Sequence, residues 1–295
     1  MGSAIAANLV RSGHAVIGYD IAADRRRAAR ESGAIAASSV ERLADRAGAI
    51  ICSLPSADAL ATVVDRIARA RPARAVIVET STLPLGAKEA ARQRLAARRI
   101  AMLDCPISGT GAQARTGDLV LYASGDRAAF DRVAPVLQGF SRAQYFLGEF
   151  GNGSKMKYVA NLLVAIHNVA AAEALVLAMK AGLDPDLVVQ VVGDGAGGSR
   201  VLQLRGPMMA RGDYAEATMK MGVFQKDVAI IADFARELGS PTPLFSASEA
   251  IYTAALAAGH EADDTAAVCA ILEGLAKLNR SDRSPRSGGS ERSKI

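Results

Sequence analysis

Lys157 and Asn161 stand four residues apart in GNGSKMKYVANLL, so they share a face if that stretch is helical. A helical lysine serves as acid or base when burial or a nearby cation lowers its pKa, and an asparagine one turn on can hold it or a hydroxyl. Lys155, two positions earlier, faces another side and reads as a solvated lysine. By residue type alone the pair also suits an ordinary exposed helix.

A second constellation opens the chain. In MGSAIAANLVRSGH, Ile5, Leu9 and Val10 share one helical face, and Gly13 is placed to end the helix. An apolar strand, Ala15 to Tyr19, follows and finishes in Asp20, 18 residues after Gly2. Dinucleotide-binding βαβ units have this order: a glycine-rich turn, a helix whose N-terminus faces a pyrophosphate, and an acid about 20 residues on for the ribose. Gly2 then reads as the last glycine of the fingerprint. The expectation follows that a first strand ending in G-x-G is encoded upstream of Met1, in about ten further residues. A helix followed by a strand ending in Asp is also common structure.

Further apolar runs recur at Ala49–Leu54, Ala75–Glu79, Ile100–Leu103 and Leu119–Ala123. Helix-patterned segments alternate with them at about 23–31, 38–46, 58–69, 84–98 and 127–138. This predicts an α/β Rossmann-type domain, an open and mostly parallel sheet covered on both faces. Ligands bind such sheets beyond the carboxyl ends of the strands. There the chain places Asp20, Leu54-Pro55-Ser56, Thr80-Ser81-Thr82 and Asp104-Cys105-Pro106-Ile107-Ser108-Gly109-Thr110. After Gly148 the alternation stops. Helices are expected from 155 to about 180, a rod of ~39 Å if 26 residues long, and at 184–193, 199–210, 216–238, 242–258 and 265–278. The expected division is a dinucleotide-binding domain over 1–149, an all-α domain over 150–279, and a disordered tail over 280–295.

Composition narrows the remaining classes. Half of the 295 residues are hydrophobic and 22% charged, which excludes global disorder. No run of 18 uncharged apolar residues appears, so no membrane partner is expected. The three cysteines, Cys52, Cys105 and Cys269, are too far apart and too few for a disulfide framework or a zinc module, and suit a reducing, cytoplasmic compartment. His14, His167 and His260 form no metal-spaced cluster, so no metal is expected. Of the net charge of +5, the segment from Arg280 supplies five basic residues against two acidic ones, leaving about +2 elsewhere. A nucleic-acid partner is therefore not expected.

Four segments carry a resemblance. MGSAIAANLVRSGHAVIGYD resembles the continuation of the G-x-G-x-M-G fingerprint of the β-hydroxyacid dehydrogenases, within the 6-phosphogluconate dehydrogenase superfamily. LDCPISGTGAQARTGDL resembles that family's D-x-P-V-S-G-G substrate loop and the G-x-L segment after it. GNGSKMKYVANLL resembles the G-x-G-x-x-x-K-x-x-N-N motif opening its long helix, and FQKDVAIIADFA its K-D-L-x-L-A segment. The family includes 3-hydroxyisobutyrate, tartronate semialdehyde and L-threonate dehydrogenases.

The resemblance implies hydride transfer between a nicotinamide and a small β-hydroxy acid, with Lys157 as general acid or base and Asn161 beside it. It implies that Ser108, Gly109 and Thr110 bind the substrate carboxylate. Thr110 stands where the family usually has a second Gly, which narrows that pocket. Lys226, from K-D, is implied at the nicotinamide ribose or the substrate carboxylate; as a simple surface pair it would bond Asp227. Thr82, Leu54 and Pro55 are implied near the nicotinamide, and Gly2 and Asp20 at the adenosine half. Asp20 would repel a 2′-phosphate and so favours NAD, while Arg25, Arg26 and Arg27 leave NADP open. Arg200 is a candidate for a distal substrate anion. The family also implies a homodimer or homotetramer assembled through the helical half. Alternative readings are a semialdehyde or glyoxylate reductase, an imine reductase, which Lys157 opposes, and a truncated nucleotide-binding module without catalysis.

Overall fold

The computed structural model describes residues 1–72 and 74–280. The chain begins α1 (Gly2–Arg11), β1 (Ile17–Gly18), α2 (Ala23–Glu31), β2 (Ile35–Ala36), α3 (Val40–Ala44), β3 (Ala49–Cys52), α4 (Ala57–Ala70) and β4 (Val76–Glu79). It continues α5 (Leu85–Ala96), β5 (Ala101–Asp104), β6 (Ile107–Ser108), α6 (Gly111–Thr116), β7 (Val120–Ala123), α7 (Arg127–Gln138) and β8 (Ala143–Phe146). Helices follow: α8 (Asn152–Lys180), α9 (Pro185–Asp194), α10 (Arg200–Arg211), α11 (Met221–Glu237), α12 (Pro243–Ala257) and, after a 3-10 turn at Thr265–Ala267, α13 (Val268–Leu275).

The chain divides into two compact units, with boundaries inside α8 and α11 and in the loop before α12. One holds Met1–Leu162 with Lys226–Ser240; the other holds Leu163–Gln225 and the chain from Pro241. The tail expected beyond Arg280 lies outside the described residues. Arg280 itself is bound in the second unit, donating to the Met209 carbonyl at 2.7 Å and the Ala210 carbonyl at 3.0 Å.

In the first unit, β1 pairs with β2 and β3-β4-β5 form a ladder, all parallel. A third ladder runs β6-β7-β8, with β6 antiparallel to β7, and an Asp104–Ser124 bridge links β5 to the end of β7. Period-two alternation sends side chains to opposite faces. Val76, Val78 and Leu103 pack with Ile5 and Leu9 of α1 and with Phe130, Val133 and Leu137 of α7. Ile50, Ile77 and Met102 pack with Leu60, Val64 and Ile67 of α4 and with Leu95 of α5. The expected three-layer α/β arrangement is the one found. β2, β6, β8 and α6 were not expected. Two residues each in β2 and β6 carry no readable alternation, and β8, AQYF, is half polar.

The second unit is helical. α8 is long and apolar enough by length and composition to cross a bilayer, although 50% of its most apolar window is buried inside the protein. The polar centre of this unit is Asp264, fully buried and paired with Arg205 at 3.2 Å. Its carboxylate also accepts from the Thr218 N–H at 2.7 Å, the Thr218 hydroxyl at 2.8 Å, the Met219 N–H at 3.1 Å and the Ala266 N–H at 3.0 Å. Burial works to raise its pKa, but Arg205 and these donors outweigh it and hold the carboxyl below its ordinary value. One acid thus joins α10, the loop before α11 and the start of the 3-10 turn. Asp264→Ala would leave the Arg205 guanidinium buried without its partner, and should cost about 3–5 kcal/mol, read as a lowered urea midpoint.

Candidate active site

Four loops beyond the carboxyl ends of β1, β3, β4 and β5 hold the candidate residues of the first unit. Asp20 follows β1 and its carboxylate accepts from the Ala22 N–H at 2.9 Å. Arg26 does not reach outward; it donates to the carbonyls of Asp20 and Ile21, at 2.6 and 2.9 Å. Gly2 opens α1, whose N-terminus has no side-chain cap, and lies beside Ser53 at the end of β3, where an added methyl would be 3.9 Å from the Ser53 Cβ. Leu54 is fixed from the next loop, its N–H donating to the Ser81 hydroxyl at 2.7 Å. Thr80 bonds back to the Cys52 carbonyl at 2.7 Å.

The substrate-loop candidates sit where β5 turns into β6 and α6. Gly109 has φ +141°, and an added Cβ would lie 2.6 Å from the Leu119 side chain, so both backbone and space require glycine. Thr110 caps α6 in a reciprocal box with Gln113. Its own N–H donates to Gln113 Oε1 at 3.0 Å, so that donor is already engaged.

The lysine pair resolves clearly. Lys155 is exposed and its Nζ makes one long bond, 3.3 Å to Asn152 Oδ1. Lys157 is 8% exposed and Asn161 5%. Asn161 Nδ2 donates to Asp227 Oδ2 at 2.8 Å, and Lys226 Nζ lies 2.9 Å from Asp227 Oδ1. Lys226 also donates to the Thr82 carbonyl. Burial pushes the Lys157 pKa down to about 8; the Asp227 carboxylate opposes this and the Lys226 cation assists it. The structure thus brings Lys157, Asn161, Lys226 and Thr82 together. Arg200 belongs to the other unit, where its guanidinium donates to Gln203 Oε1 at 3.3 Å.

Sequence reasoning missed two features. As a surface pair Asp227 would bond Lys226 alone, yet it links Lys226 to Asn161. Lys88, Glu79 and Asp104 form a fully buried ionic cluster. The K-D and D-x-P motifs pointed to Asp227 and Asp104, whereas nothing in the spacing of Lys88 distinguishes it from a solvated helical lysine.

Known proteins resemble the chain over most of its length. Residues 1–148 match the NAD binding domain of 6-phosphogluconate dehydrogenase, and residues 151–272 the NAD-binding domain of NADP-dependent 3-hydroxyisobutyrate dehydrogenase. An L-threonate dehydrogenase of Cupriavidus necator is 31% identical, covering 93% of this chain and 94% of its own length. The structure of a 3-hydroxyisobutyrate dehydrogenase from Salmonella typhimurium superposes with a TM-score of 0.82 at 31% identity, covering 92% of this chain and 95% of that one. A Mycobacterium tuberculosis 3-hydroxyisobutyrate dehydrogenase, solved with L-serine, gives 0.84 at 27% identity over 92% and 95%. The chain belongs to the β-hydroxyacid dehydrogenase family and is an NAD(P)-dependent hydroxyacid oxidoreductase.

The start of α8 is set by two glycines. Gly151 takes φ +96°, and a methyl on Gly153 would lie 2.2 Å from the Tyr122 carbonyl oxygen and 2.8 Å from that of Asp104. Both neighbours are backbone, which cannot swing aside. Gly153→Ala should therefore destabilise the protein by about 2 kcal/mol or more, visible as a lower thermal midpoint, although alanine is the better helix former.

Proposed function

We propose that this enzyme transfers hydride between NAD and a small β-hydroxy acid of the 3-hydroxyisobutyrate, threonate or tartronate semialdehyde type, with Lys157 as the general acid–base. The observation that carries the reading is a buried lysine held near neutrality, beside an asparagine oriented by Asp227. In oxidation Lys157 Nζ takes the proton of the substrate hydroxyl as the carbinol carbon gives up its hydride; in reduction it returns that proton. Asn161, fixed through its amide nitrogen, keeps its oxygen side for the lysine or the hydroxyl. The nicotinamide, when bound, supplies the hydride acceptor or donor. Its site fits the residues present: the uncapped N-terminus of α1 at Gly2 suits a pyrophosphate, and the exposed Asp20 carboxylate suits a ribose diol. Leu54, Pro55 and Thr82 line the nicotinamide end in this reading.

Asp20 disfavours a 2′-phosphate, and Arg26, engaged with the loop's own carbonyls, does not offset it. NAD is therefore the preferred cofactor in this reading, and the exposed Arg25 and Arg27 are what keeps NADP as the alternative. For the substrate carboxylate, the Ser108 hydroxyl and the Gly109 N–H are the loop's donors, with Lys226 as the counter-charge. Thr110 acts by filling space, since its N–H is spent on Gln113. Val159, Leu163 and Leu177 on α8 and Leu187 and Val191 on α9 are exposed apolar residues, which supports assembly with further copies of the chain as a dimer or tetramer. All three cysteines are free and buried, in keeping with a reducing cytoplasm.

Steady-state assay of Lys157→Ala over a panel of hydroxy acids and semialdehydes tests the assignment. Turnover should fall by about 10²-fold or more, with NADH binding by fluorescence nearly unchanged, while Lys155→Ala stays near wild type. Equal loss in both variants, or faster wild-type turnover with NADP than with NAD, would contradict the reading.

A further inference from the structure

The strand register sets Glu79 directly beside Asp104 on adjacent parallel strands. Both side chains are fully buried, on the sheet face that carries Ile77 and Met102. Two carboxylates so placed repel unless a cation joins them. Lys88 reaches in from α5, its Nζ 2.7 Å from Glu79 Oε2 and 2.8 Å from Asp104 Oδ1. Burial works against its charge, but the two carboxylates outweigh that and hold its pKa above the ordinary lysine value. The nearby titratable groups, Cys52, Cys105 and Tyr158, are all pushed upward by burial and stay neutral at working pH. The cluster's oxygens also take donors from other elements. Buried ion clusters add little stability over apolar packing of the same volume. Their use is better sought in what they hold.

Two chains of contacts leave this cluster. Glu79 Oε1 accepts from the Ser81 N–H at 3.0 Å, and the Ser81 hydroxyl in turn accepts from the Leu54 N–H at 2.7 Å. Thr82, whose carbonyl receives Lys226, is the next residue. On the other side, Asp104 accepts from the Ser154 N–H at 2.7 Å and the Ser154 hydroxyl at 2.8 Å. The Ser124 hydroxyl also lies 3.3 Å from Asp104 and accepts from the Gly153 N–H at 2.9 Å. Ser154 is one helical turn before Lys157 and Tyr158, and the Tyr158 hydroxyl donates to the Leu83 carbonyl at 2.5 Å.

We propose that Lys88 is a positioning residue for the hydride-transfer reaction, joining Glu79 to Asp104 so that the Leu54 and Thr82 loops and the α8 turn bearing Lys157 are set by one rigid cluster. The inference rests on the proposed roles of those loops and of Lys157. Misplacement of a reacting group by about 1 Å costs as much as 10²-fold in rate, so the effect belongs in kcat before it shows in folding.

The test compares Lys88→Met with the double variant Lys88→Met/Glu79→Gln. The single variant leaves two buried acidic side chains without their shared cation and should lower the melting temperature. The double variant removes one of those acids, keeps an oxygen for the Ser81 N–H and should regain stability. Its kcat should remain about 10-fold or more below wild type, with weaker NADH binding and a displaced ionisation in the pH–rate profile. A stable double variant with wild-type kcat, NADH affinity and pH profile would overturn the proposal. If neither variant folds, Ser154→Ala decides: lowered kcat and a displaced ionisation at nearly unchanged melting temperature support it, and an unchanged enzyme refutes it. The acid–base reading of Lys157 is checked separately, since its failure would remove the ionisation from the wild-type profile before any of these variants is made.

Discussion

A lysine exchanges a proton near neutrality only where its charged form is penalised, and a folded chain must maintain that penalty against its own tendency to relax. Lys157 meets the condition by burial, with the Lys226 cation adding to it and Asp227 limiting it. The displacement from the ordinary value of 10.5 to about 8 corresponds to roughly 3 kcal/mol between the two protonation states. Because the folded pKa is the lower one, that cost is fully present below pH 8 and is relieved as pH rises toward the unfolded value. The site is stable because the helix that carries the lysine cannot move away. Gly153 presses its first turn on backbone carbonyls, Ser154 bonds to Asp104 and Tyr158 bonds to Leu83.

Two buried lysines of the same unit show how the balance of charge, rather than burial alone, decides protonation. Lys88 is as deeply buried as a side chain can be, yet it faces two carboxylates within 3 Å and keeps its proton. Lys157 has Asp227 nearby, but that carboxylate is already bonded to Lys226 at 2.9 Å and to Asn161 at 2.8 Å. What remains for Lys157 does not repay its desolvation. The first lysine is consequently a fixed cation suited to holding strands, and the second a titrating group suited to chemistry.

Much of this was legible in the sequence because the informative signals were local. Hydrophobic periodicity marked β3, β4, β5 and β7 and nearly every long helix to within a few residues. G-x-G ahead of Lys157 marked a helix start, and the structure supplies the reason in the lack of room at Gly153. The illegible parts depend on long-range pairing. β2 and β6 exist only because a neighbour pairs with them, and two residues carry no period. Lys88 sits in LGAKEAARQRLA among charges that are mostly exposed, so its burial follows from the register of β4 against β5 and not from its own surroundings. The capping by Thr110 is local and is readable as T-x-x-Q.

The acid–base role of Lys157 is tested most directly by pH–rate profiles of the unmodified enzyme in both directions, at saturating cofactor. Oxidation requires the neutral amine, so its kcat/KM should rise with pH through an apparent pKa near 8. Reduction requires the ammonium, so its rate should fall through the same region. Flat profiles between about pH 7 and 9, or profiles that change in the same sense in both directions, would contradict the account.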